Sequence, residues 1–116
     1  MSGPISLVFP ETRSVAAVIE LARRTEASGL DGMFLGSAFG FDPIMALAAA
    51  GAATTTVQVG VAVVPTWPRH PVVMAQQAAT ASQMAGGRFR LGLGPSHKPV
   101  MAMYGIDDSH PLSHLE

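Results

Sequence analysis

The feature that most constrains this chain is an alternation. Four short apolar, β-branched runs, at 4–9, 31–36, 57–64 and 88–94, are separated by three longer segments of helical texture. Each of the first three strands is followed by a helix long enough to carry the chain back to its starting edge. Such an order predicts a parallel sheet with helical crossovers, not hairpins. The third run, VQVGVAVV, is apolar for most of its length, as suits a strand covered on both faces. Two architectures satisfy this order: an open doubly wound sheet, or part of a (β/α)8 barrel.

Chemical signals mark the helix ends. Ser14 is placed to cap a helix over 14–28, with Val15, Val18, Ile19 and Ala22 on one face and Gly29 at the stop. Asp42 caps a second over 43–53, where Pro43 falls in the first turn and its missing N–H costs nothing. Pro71 opens a third over 71–85, closed by Gly86 and Gly87.

With 48% hydrophobic and 13% charged residues, the chain is too apolar to be intrinsically disordered. A net charge of -1 and scattered Lys and Arg give no basic stripe, so nucleic acid is not an expected partner. The absence of cysteine removes disulfides, thiolate nucleophiles and Cys-based zinc sites, and suits a cytoplasmic protein. The first residues lack the basic-then-apolar order of a secretory signal. The apolar tract over 43–65 breaks at Gly51 and at Thr54, Thr55 and Thr56, then turns strand-like. Two buried elements are expected there, not a membrane span.

In parallel α/β folds, sites gather at the carboxyl ends of the strands. Here those ends supply Phe9-Pro10, Gly36 to Phe39, Pro65-Thr66-Trp67 and Gly94 to Lys98, all on one face. This composition suits an aromatic ligand with polar edges, and Phe9 and Trp67 are the candidate substrate walls. His97 is the candidate catalytic residue, because an imidazole titrates near neutrality and can donate a proton or hold an anion. Its plainer reading is a solvated loop histidine. His70, just before Pro71, is expected to satisfy backbone groups at a helix start.

His110 and His114 are four apart, but Pro111 lies between them and spacing fixes no third ligand. A loop running into a helix start is preferred there, and no metal is expected. The Met-rich piece VMAMYGI reads as packing under a loop.

The stretch RFRLGLGPSH superficially suggests a dinucleotide clasp. That fingerprint needs a third glycine where His97 stands, and Pro95 interrupts the turn. Gly92 and Gly94 are instead expected to allow close packing and a sharp strand exit. No pair of carboxylates stands at a strand end, and neither Ser37 nor Ser96 has an evident His/Asp relay, so hydrolytic chemistry has little support.

A set of ordered motifs carries a resemblance. They are A-x-x-x-E-x-x-G-L-D before the second strand, D-P-I-x-A-L-A-A, V-x-x-G-x-x-V-x-P with R-H-P, A-x-Q-A-A-T, and G-G-R-F-x-L-G-L-G. In this order, from about Leu21 onward, the chain resembles the N-terminal part of the luciferase-like monooxygenase superfamily. It is most similar to that group's oxidoreductases dependent on the deazaflavin coenzyme F420.

The resemblance implies a (β/α)8 TIM barrel with the ring of the cofactor across the carboxyl ends of the strands. It also implies hydride transfer between coenzyme F420 and a small organic substrate. FMN, as in a two-component monooxygenase, is the alternative cofactor. Ser37 and Phe39 would flank the ring. The backbone at Val63 and Val64 would bulge against it, often through a non-prolyl cis peptide in this family. Gly94, Ser96 and His97 would line the cofactor's side chain or the substrate mouth.

A full barrel takes about 250 residues, whereas this sequence has 116. The resemblance therefore implies an incomplete barrel of about four βα units, residues 1–116 being its N-terminal half. The final HPLSHLE resembles the first turns of a helix. A fragment inactive by itself is expected; the alternative is a non-catalytic half barrel that pairs as a homodimer to cover its open edges.

Overall fold

The computed structural model describes residues 4–10, 14–37, 40–107 and 109–116. Its elements, in chain order, are β1 (Ser6–Phe9), α1 (Val15–Ala27), β2 (Gly32–Leu35), α2 (Pro43–Ala52), β3 (Gln58–Pro65), α3 (Pro71–Met84), β4 (Phe89–Gly94), α4 (Lys98–Met103) and α5 (Pro111–Leu115). The four strands lie side by side in chain order and every neighbouring pair is parallel. A doubly wound sheet reverses its strand order at a switch point. Here the order never reverses, so the architecture is a partial (β/α)8 barrel.

The helix starts form where the sequence places them. Ser14 Oγ accepts the Ala17 N–H at 3.0 Å, and Asp42 Oδ2 accepts the Met45 N–H at 2.8 Å. His70 Nδ1 accepts the Val72 N–H at 3.2 Å, which gives that histidine the backbone-satisfying role expected of it. β1 is shorter than the predicted 4–9. The Ile5 N–H donates to Asp31 Oδ2 at 2.6 Å, and a side chain takes the place of the next ladder partner.

The core lies between the sheet and its helices. Met33, Leu35, Val59, Val61, Val64 and Phe89 project from the strands onto Val18, Ala22, Ile44, Leu47, Ala81 and Ala85. α2 packs between α1 and α3 and against β3. Being apolar almost all round, it is the helix that must be buried deepest. Gly51 lets it approach closely, since a Cβ there would stand 2.5 Å from Ala85 Cβ.

The Met-rich segment packs inward, as expected of it, and does so as a helix. It forms α4, with Pro99 in the first turn, Tyr104 at the C-cap and Gly105 at φ 72° ending the helix. These stop signals are the usual pairing of Pro inside the start and Gly past the end. Met101, fully buried, anchors it.

Candidate functional site

The site begins with an irregularity in β3. Its register with β4 pairs Val61 with Leu91 and then Val64 with Leu93, so Ala62 and Val63 together stand opposite Gly92. This is a β-bulge, which bends a strand and re-aims its side chains. The Ala62–Val63 peptide is cis. Val63 turns outward and is 43% exposed, while Val64 is 1% exposed in the core. Gly92 permits the arrangement, since a Cβ there would stand 2.2 Å from the Val61 carbonyl oxygen.

Around Val63 lies a cavity of about 510 Å³ at the carboxyl ends of β2, β3 and β4. Gly36 and Ser37 line it from the β2 exit, Ala62, Val63 and Pro65 from the bulge, and Gly94, Pro95, Ser96 and His97 from the β4 exit. Val100 closes it from α4. The volume falls within the roughly 300–1,000 Å³ range of small-molecule pockets. The floor is apolar and the rim carries two hydroxyls and an imidazole. This is the pattern that seats a flat, mostly apolar ring with polar edges.

Of the residues expected at the site, the cavity brings together Ser37, Val63, Gly94, Ser96 and His97. Ser96 holds a left-handed φ of 66°, uncommon for a residue with a Cβ. His97 is exposed at the N-cap position of α4, where its side chain makes no capping bond. Val64 does not join them; the extra residue in the bulge sends it to the helix side of the sheet.

Phe9 also lies elsewhere. It is half-buried beside Leu7, Leu21 and Leu30 on the α1 side, because residues 7 and 9 share a face of β1. Trp67 is half-buried rather than exposed, and lines a separate hollow with Ser109, His110 and His114. Its indole stacks on the His114 imidazole, with centroids 3.6 Å apart and planes 9° from parallel. His114 Nε2 lies 2.8 Å from Thr66 Oγ1 as well. Phe39 is outside the described residues.

Ala62 and Val100 are lining residues that pattern reading did not single out. The first is exposed by the bulge and the second is carried by α4; Pro99 and Gly105 were the available signals for that helix. Next to the site, an Arg69–Asp42 ion pair ties the loop after β3 to the start of α2. Among the described residues, no helix is long and apolar enough to cross a membrane, and no cluster of three or more His, Cys, Asp or Glu could hold a metal ion.

A family model described as luciferase-like monooxygenase matches residues 5–116. The chain belongs to that family. A Mycobacterium tuberculosis protein assigned as a coenzyme F420-dependent oxidoreductase is 36% identical over 95 residues, covering 81% of this chain and 27% of that relative. The chain thus spans about a quarter of the relative's length. Two solved structures share the fold. The coenzyme F420-dependent tetrahydromethanopterin reductase of Methanopyrus kandleri superposes with a TM-score of 0.81 at 20% identity, covering 90% of this chain and 30% of that one. The FMN complex of the oxygenating constituent of 3,6-diketocamphane monooxygenase from Pseudomonas putida gives 0.80 at 21% identity, covering 93% and 34%. The family is one of oxidoreductases and monooxygenases.

Proposed function

We propose that the cavity over Val63 seats the ring of coenzyme F420 beside a small organic substrate, for hydride transfer between the two. The observation that carries this reading is the bulge itself, which makes an apolar platform of Ala62 and Val63 at the mouth of the sheet. A bound deazaflavin supplies the carbon that gives or takes the hydride. The chain supplies placement. Ala62, Val63, Pro65 and Val100 exclude water from one side of a ring, and the Ser37 and Ser96 hydroxyls offer hydrogen bonds at its edge. His97, exposed on the rim, holds a substrate oxygen or donates a proton to it.

The F420-dependent relative supports the choice of cofactor. An FMN-dependent two-component monooxygenase is the second reading, favoured by the FMN complex built on the same fold. Titrating the purified chain with oxidised F420 and, separately, with FMN, following cofactor fluorescence, tests both. Saturable quenching with the deazaflavin bound more tightly is the expected result. Tighter FMN binding supports the second reading. No binding of either, together with concentration-dependent self-association, overturns both in favour of a non-catalytic half barrel.

A further inference from the structure

Val63 rests in a double socket. A Cβ at Gly92 would come within 3.2 Å of Val63 Cγ1, and a Cβ at Gly94 within 2.8 Å of Val63 Cγ2. The isopropyl group lies against β4 only because both facing residues lack a side chain.

The two glycines are not equivalent. At Gly92 a Cβ meets the Val61 carbonyl oxygen at 2.2 Å, an obstacle in the backbone that no change of side chain relieves. At Gly94 the obstacles within 4 Å belong to Val63 alone, Cγ2 and Cβ. Gly94 also has no left-handed φ, so alanine can adopt its backbone conformation. Gly92 therefore admits the bulge, and Gly94 decides how low Val63 sits on it.

Displaced by a Cβ at position 94, Val63 has one way to go. Its χ1 is stiff because the side chain is β-branched. β4 blocks it behind, and its open side is the cavity, where it is 43% exposed.

Taking the cavity as the seat of a planar cofactor ring, we infer that Gly94 is a positioning residue. It sets, through Val63, the depth to which the ring enters. It acts on the ring only by fixing the height of the apolar floor beneath it.

The test is a cycle of Gly94→Ala, Val63→Ala and the double variant, each titrated with oxidised F420 and melted by circular dichroism. Gly94→Ala is expected to weaken binding roughly tenfold, and the double variant to return within about twofold of Val63→Ala. Parent-like binding by Gly94→Ala overturns the inference, as does a double variant as weak as Gly94→Ala. If Gly94→Ala fails to fold, a folded double variant supports the inference and an unfolded one overturns it. If the parent binds neither F420 nor FMN, the cofactor reading falls separately. The melting temperatures then decide the steric pair: losses that cancel in the double variant support it, and additive losses overturn it.

Discussion

Glu26 and Arg88 meet on one turn, between α2 and β3. The Glu26 carboxylate accepts the N–H groups of Thr55, Thr56 and Val57 at 2.9, 2.7 and 3.0 Å. The Arg88 guanidinium donates to the carbonyls of Gly51, Thr54 and Val57 at 2.8, 2.9 and 2.6 Å. One end of α1 and the start of β4 are thereby fastened to the same segment, residues 51–57, and meet at Val57, at the end of the sheet opposite the cavity.

The N–H donors, Thr56 first, then Val57 and Thr55, lower the Glu26 pKa from 4.5 to about 2, against a smaller opposing effect of desolvation. A carboxyl whose pKa is depressed on folding stabilises fully above its unfolded value and loses that contribution as pH falls through the folded one. Glu26→Gln is therefore expected to cost about 1 kcal/mol at pH 6, a modest figure because the group is partly exposed. Urea midpoints should show the gap to the parent narrowing below 4.5 and closing near 2. A gap independent of pH would contradict this role.

Arg88→Lys keeps the charge and loses the planar fork that reaches several carbonyls at once. Orphaned carbonyls at the end of α2 are expected to cost roughly 2 kcal/mol. Thermal melting checks it, and F420 binding measured below the melting range should be unchanged because Arg88 lies away from the cavity.

Gly92→Ala is expected to abolish the native sheet, because its Cβ would run into the Val61 carbonyl oxygen. A loss of about 3 kcal/mol or more follows from moving backbone. Unlike Gly94→Ala, it gains nothing from Val63→Ala. Circular dichroism of the single and double variants makes that comparison.

Trp67 is the sole tryptophan in the chain, so its fluorescence reports one contact. His114 covers one face of the indole. His114→Ala should shift the emission to the red as water replaces the imidazole. An unchanged spectrum would mean that α5 does not rest there in solution.

Much of this fold was legible because the governing interactions are local. Ser14, Asp42 and His70 cap helices through neighbours two or three residues away, and sequence alone exposes such pairs. The parallel order followed from the alternation, and the barrel-type strand sequence from the motif resemblance. Sequence offered less on what depends on distant partners. The roles of Glu26 and Arg88, 62 positions apart by number (88 − 26), became visible only when the α2–β3 turn came between them. The period-2 pattern of VQVGVAVV gives no hint that one extra residue sends Val63 outward and Val64 inward. Phe9 and Trp67 shared an end of the sheet with His97, yet side-chain direction put them elsewhere.

The most direct measurement of the central claim is fluorescence titration of oxidised F420 with the parent chain and with Val63→Trp, whose indole would fill the space over the bulge. The parent should quench the deazaflavin saturably, and Val63→Trp, folded by circular dichroism, should weaken binding by about a hundredfold or more. Equal affinity in the two proteins, or no binding by the parent, would contradict a ring seated on Val63.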